Sequence, residues 1–200
     1  PIEMQYVIDN MLVFENGSTR GISGYMWSKL FRRNYIVSES GVLNVQFSEE
    51  LSNYEDFVFI CEYVNRCEGN LYFLPDRLYN YCYQSESLSR KKMSIYEMLE
   101  SLKVIVGLQE KYEEAAFQYA ELFFVDTVWK YWVMHVCEMR KYSKLSDFEE
   151  HADIQKEIAK YKKAYYGSSQ VQFYKKMIVY LLLEHDNVLF FIANKARRFI

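Results

Sequence analysis

Two adjacent carboxylates, Glu55 and Asp56, open the stretch NYEDFVFICEYVNRC at residues 53–67. A carboxylate fixed at the end of a rigid element can take a proton from a bound hydroxyl. The structural reading of the same pair is simpler: acids in the first turn of a helix offset its macrodipole, worth about 0.3–1 kcal/mol each. Neighbouring helical residues point about 100° apart, so Glu55 and Asp56 do not form a matched acid/base pair on one atom. The other chemistry-bearing side chains are more scattered. His135, His151 and His185 are far apart and unaccompanied in sequence, and His185-Asp186 reads as a helix-break cap or surface pair. The four cysteines, Cys61, Cys67, Cys82 and Cys137, show no C-x-x-C and no metal spacing. No nucleophile elbow and no phosphate loop is present.

The element that must position the acid pair is a helix. Asn53 is suited to cap it. Phe57, Ile60, Cys61 and Val64 fall at i, i+3, i+4 and i+7, one apolar stripe that lays the helix on a core. Cys61, on that stripe, reads as a buried small hydrophobe. Around this helix, QYVID (5–9) and MLVFE (11–15) are β-like, with a turn at Asn16-Gly17-Ser18, and the first of them is expected at a sheet edge. VLNVQF (42–47) alternates as a half-buried strand. Residues 70–73 and 77–83 are strand-like about the turn at Pro75-Asp76.

The character changes at about Ser85, and a domain boundary is expected near Arg90–Ser94. Ser94 and Glu97 form a capping-box pair for a helix from Ile95 to about 114, with Leu99, Leu102, Val106 and Gln109 on one face. A second helix, about 115–142, is apolar nearly all round through ELFFVDTVWKYWVMHV, which predicts the central helix of a bundle. A third, about 146–165, is the most charged and faces solvent on one side; Gly167 and two serines end it. Helical pieces at 170–183 and 187–199 follow. The domain expectation is therefore 1–92 and 93–200.

The flanks of the acid helix carry a further pattern. GISGYMWSKLFRRNYI (21–36) holds a W-x-K-L-F-R-R block, Phe47 precedes a short loop, then comes E-D-x-x-F, then Leu78-Tyr79-Asn80-Tyr81 and the serines at 85–89. This ordered set, over residues 21–90, resembles the acceptor-side half of family 2 glycosyltransferases, the inverting GT-A enzymes that use nucleotide-diphosphate sugars. The resemblance implies that Asp56 is the general base on the acceptor hydroxyl and that Glu55 orients the acceptor or Asp56. It implies that Trp27, Lys29, Arg32, Tyr79 and Tyr81 bind substrate, Trp27 as a sugar floor and Lys29 against the diphosphate. Each has a bland alternative: packing for Trp27, Tyr79 and Tyr81, solvated charge for Lys29 and Arg32. The family's nucleotide-binding half and its D-x-D metal motif are absent from these 200 residues. A divalent cation, Mg2+ or Mn2+, is thus expected in the full enzyme with ligands mostly outside this sequence. The missing initiator Met leads to the same expectation, that Pro1 is a boundary inside a longer chain and that the fragment alone is inactive.

Composition bounds the rest. Two prolines and seven glycines argue for long helices, and 19 tyrosines with 14 phenylalanines suit packing, interfaces or sugar stacking. A net charge of −3 gives no field for nucleic acid. No apolar run reaches the roughly 18 residues of a membrane span. Cysteine usage points to a reducing, cytoplasmic compartment. The fold expectation is an α/β (α+β) remnant of a GT-A fold followed by a mostly α-helical bundle, helix-rich overall. The expected partners are a nucleotide-sugar donor and a glycan or lipid-linked acceptor. Two rival readings stand beside it. One is a non-catalytic helical interaction module, whose aromatic C-terminal helices serve as a dimer interface as readily as a bundle core. The other is a membrane-peripheral helical domain, resting through the basic and apolar residues at 188–200.

Overall fold

The computed structural model describes residues 2–3, 26, 29–51, 53–72, 80, 82, 93–111, 119–138 and 144–196. They fall in two compact units, Pro1–Tyr119 and Ala120–Ile200. The boundary expected between 92 and 93 comes just before a helix at Ile95, and that helix belongs to the first unit.

In the first unit, strand β1 (Ile2–Glu3) pairs antiparallel with β2 (Asn70–Leu71), Ile2 opposite Leu71 and Glu3 opposite Asn70. Between them lie α1 (Arg33–Ile36) and α2 (Glu55–Arg66). Helix α2 is the acid-pair helix. Phe57, Ile60, Cys61 and Val64 are buried as the spacing requires, and Val58, Phe59 and Tyr63 join them, so the helix is covered on more than one face. Its cap differs from expectation. The chain enters through Tyr54 in the left-handed region (φ 65°, ψ 9°), which occupies the cap position and leaves Asn53 one residue outside it.

The strand expected at 42–47 does not form. Ser38 and Gly41 close a tight turn instead, with the Gly41 N–H donating to the Ser38 carbonyl at 3.0 Å and the Ser38 N–H to the Val42 carbonyl at 2.9 Å. Gly41 sits at φ 83°, where a side chain is disfavoured. Only an isolated bridge joins Val37 to Leu43, and Leu43 is 56% exposed while Val45 is buried. Alternation needs a paired neighbour to become a strand, and among the described residues 42–47 has none beyond that bridge. The β-like segments at 5–9 and 11–15 lie outside the described residues, as does 77–83 apart from Asn80 and Cys82, neither of which is in a strand.

Helix α3 (Ile95–Lys111) starts with the expected capping box. The Ser94 N–H donates to Glu97 Oε2 at 2.9 Å and the Glu97 N–H donates to Ser94 Oγ at 3.2 Å. Leu99, Leu102 and Val106 are buried with Ile95, Met98 and Ile105.

The second unit is a helical bundle of α4 (Ala120–Glu138), α5 (His151–Gly167), α6 (Phe173–Glu184) and α7 (Asp186–Ala196), with a short 3-10 turn at Leu145–Asp147. Helix α4 packs against all three others, as its apolar circumference predicts. Helix α5 buries Ile154, Ile158 and Tyr165 along one stripe and exposes its lysines. The chain as described is helix-rich. Among the described residues no helix is long and apolar enough to cross a membrane.

Candidate functional site

The site begins with how α2 holds its neighbour. Met26 and residues 29–35 meet the helix in the same order as its own residues run. Its Met26 N–H reaches Asp56 Oδ2 at 3.5 Å, and its Arg32 N–H donates to the Tyr63 hydroxyl at 2.8 Å. Asp56 and Tyr63 are seven residues apart, two turns and about 10 Å along one face. Aromatic rings fill the span. Phe31 stands edge-on to Phe59 at 5.8 Å and to Tyr63 at 4.8 Å, Tyr35 meets Tyr63 at 6.0 Å, and Phe47 stacks on Phe59 at 4.7 Å. Such pairs add about 0.5–1.5 kcal/mol each beyond area burial.

This clamp sets Lys29 beside the acid pair. Burial lowers the Lys29 ammonium to about 8, with the Asp56 carboxylate opposing the shift. Asp56 and Glu55 are both half-buried in the first turn of α2. Tyr54, immediately before them, keeps a left-handed backbone that costs a non-glycine residue about 1–2 kcal/mol. Strain of this kind gathers where a structure over-determines a position. Burial also raises the Tyr54 phenol.

Of the seven residues singled out in the sequence, the structure brings Asp56, Glu55 and Lys29 to one end of α2. Arg32 lies toward the other end. Its side chain is exposed, its backbone is tied to Tyr63, and its charge is felt at Cys67, whose thiol is raised by burial against the pull of Tyr63 and Arg32. Trp27, Tyr79 and Tyr81 lie outside the described residues. Cys61 is fully buried and its thiol pushed up by that burial, as a small hydrophobe's would be. Among the described residues no three His, Cys, Asp or Glu side chains stand together as a metal-binding group.

Two polar clusters in the second unit escaped the sequence reading. Asp126, buried on α4, accepts from Trp129 Nε1 at 3.1 Å and from the Tyr165 hydroxyl at 3.0 Å, and pairs with Lys130 and with buried Lys175 at 3.5 Å. The lone acid in an apolar run, with a lysine four residues on, was the available signal. The second cluster corrects the view of the histidines as unaccompanied. His151 takes the Trp132 indole N–H on Nδ1 at 2.9 Å and meets Asp186 Oδ2 through Nε2 at 3.0 Å. Gln155 joins it, donating to Asp186 Oδ2 at 3.3 Å and to the Leu182 carbonyl at 2.6 Å. Both ring nitrogens of His151 are engaged, so the cluster fastens α4, α5 and α7 and offers no lone pair to a substrate.

Comparison of the chain with profiles of known families, with curated proteins and with solved structures found no match.

Proposed function

We propose that this chain is the acceptor-side part of an inverting family 2 glycosyltransferase, an α/β remnant of a GT-A fold joined to a helical bundle, with Asp56 as the general base. The observation that carries the reading is the Asp56 carboxylate in the first turn of α2 with Lys29 drawn to the same end. In the reaction, Asp56 takes the proton of the acceptor hydroxyl as that oxygen bonds to the anomeric carbon. The bond from that carbon to the diphosphate breaks on the opposite face, and its electron pair leaves with the nucleoside diphosphate. Lys29 is a cation at the site, suited to the charge that grows on the leaving group. Glu55 points about 100° away from Asp56 and serves to orient the acceptor. The resemblance implies Mg2+ or Mn2+ on the diphosphate, with ligands beyond this sequence. The clamp of Phe31 and Tyr63 rings fixes the Lys29 segment against α2, the rigidity that a positioned base needs.

The test is release of nucleoside diphosphate from a panel of UDP-, GDP- and dTDP-sugars by the longest natural chain that carries this sequence. Asp56→Asn is expected to lower turnover by about 10²–10⁴-fold while the donor still binds. Near-normal turnover removes Asp56 from its role, and no release with any donor overturns the transferase reading.

A further inference from the structure

Helix α6 spends one face on the bundle and leaves the opposite one to solvent. Lys175, Val179 and Leu182 are buried, and α6 packs on α4, α5 and α7. On the far side Phe173 is 77% exposed, Met177 40% and Tyr180 42%. The Glu184 side chain, at the end of the same line, is 52% exposed. These four fall at i, i+4, i+7 and i+11, the alternating four-and-three spacing of a coiled-coil seam. Eleven residues make about three turns, so Phe173 and Glu184 share one face at the two ends of the helix. We propose that this outer face of α6 is a self-association surface, which pairs antiparallel with the same face of a second copy of the chain.

Charge along the face decides the occupant. From Phe173 to Tyr180 the seam is uncharged, because both lysines of α6 are turned elsewhere. Lys175 Nζ meets Asp126 Oδ1 at 3.5 Å inside the bundle, and Lys176 Nζ donates to the carbonyls of Tyr166 at 2.8 Å and Ser168 at 2.7 Å. Such a seam offers no cation to anionic lipid or to an acidic partner. A two-fold contact sets a patch against itself, and a neutral one meets no like charge there. The two ends of the seam then complement each other. The start of α6 has no acid in its first turn and no capping bond from the Gln172 side chain. The other end carries Glu184, whose contact with Lys162 is long, at 3.9 Å, and exposed. An antiparallel pair lays Glu184 of each copy over the helix start of the other, where a carboxylate is favoured. A parallel pair would bring the two Glu184 side chains together instead. In the antiparallel register Met177 lies opposite Tyr180, whose hydroxyl stays bonded to His185 Nε2 at 3.2 Å while part of its ring remains open. Three turns of seam are less than a standard interface, so the dimer is a weak one. The proposal rests on the second unit alone and is independent of the transferase reading.

The test is sedimentation equilibrium of the 200-residue chain, loaded up to about 1 mM, the weak end of measurable association. The mass should rise with concentration from 24.1 kDa towards twice that value. Met177→Asp places two carboxylates near the dyad and should hold the chain at 24.1 kDa, with the wild-type circular dichroism, since Met177 faces solvent. Glu184→Lys, at a still more exposed position, should weaken the dimer about tenfold, because two symmetric contacts with a helix start turn repulsive. A monomer at every loading overturns the proposal; if Phe173 and Met177 in that monomer are also shielded from hydroxyl-radical oxidation, the face belongs to the chain's own first unit. A dimer that neither variant weakens overturns it as well, and places the contact on another surface. A dimer that Met177→Asp dissolves and Glu184→Lys strengthens overturns the antiparallel pairing.

Discussion

The indole N–H of Trp132 donates to Nδ1 of His151 at 2.9 Å. An indole nitrogen can only donate, so Nδ1 accepts and the ring's proton sits on Nε2, facing Asp186 Oδ2 at 3.0 Å. One imidazole thus orders three helices, α4, α5 and α7. Trp132 is fully buried, and His151→Ala leaves its N–H without that acceptor. The loss is expected to be about 1–3 kcal/mol from the orphaned donor alone. Asp186 adds a pH dependence. Burial raises its carboxyl, but the hydrogen bonds from His151, from the Asn187 backbone and from Gln155 outweigh that and hold it below its usual 3.8. A carboxyl depressed in the folded chain stabilises it above 3.8, and that stability drains away as pH falls below. Urea midpoints measured at pH 7 and at pH 3 should therefore differ less in Asp186→Asn than in the wild type. An unchanged difference means that Asp186 does not carry the acid response.

Lys29 and Asp56 give a second measurable pair. Burial brings the Lys29 ammonium down to about 8 from 10.5, and the Asp56 carboxylate holds it from going lower. Asp56→Asn removes that support, so Lys29 should titrate below its wild-type value. A lysine lowered by folding costs stability while both states are charged. The cost disappears as pH rises from about 8 to 10.5, so stability rises with pH across that window. Side-chain NMR of Lys29 reads the shift directly. A Lys29 value unmoved by Asp56→Asn means that the two charges do not meet at the end of α2.

What the sequence carried was whatever depends on local periodicity. The stripe of Phe57, Ile60, Cys61 and Val64 and the Ser94–Glu97 box emerge as spaced, because a helix brings i, i+3 and i+4 together wherever it forms. The apolar circumference of α4 likewise marked its place among its neighbours. What failed was whatever depends on distant partners. The alternation at 42–47 had the period of a strand, yet the turn at Gly41 and the lone Val37–Leu43 bridge leave it unpaired among the described residues. Asn53 had the chemistry of a cap, but Tyr54 turned left-handed and took the position. His151 and Asp186 are 35 residues apart, and no local spacing announces their contact. At the candidate site, Asp56 in a helix's first turn was legible, whereas its approach by Lys29 rests on Phe31 and Tyr63 packing across 31 or more residues.

The Asp126 cluster tests how much buried charge contributes to the bundle. Asp126 and Lys175 are both nearly inaccessible, and the carboxylate also takes hydrogen bonds from Trp129 and Tyr165. Asp126→Ala takes the carboxylate from Lys175, Lys130, Trp129 and Tyr165 at once, and breaking a buried pair in this way is expected to cost about 3–5 kcal/mol. Replacing both with apolar residues of similar size, Asp126→Leu with Lys175→Met, should recover a large part of that loss, because the desolvation cost of two ions disappears with their attraction. Tyr165 supplies an alkaline signature for the same cluster. Burial first, and then the Asp126 carboxylate, push its phenol well above the usual 10. A group raised in the folded chain stabilises it below that value and loses the contribution as pH climbs past it. Wild-type urea midpoints should thus fall above pH 10, and Tyr165→Phe should blunt the fall while losing the bonds to Asp126 and Trp129 at neutral pH. If the double variant is no more stable than Asp126→Ala, the ion pair is worth more to the bundle than the apolar packing that replaces it.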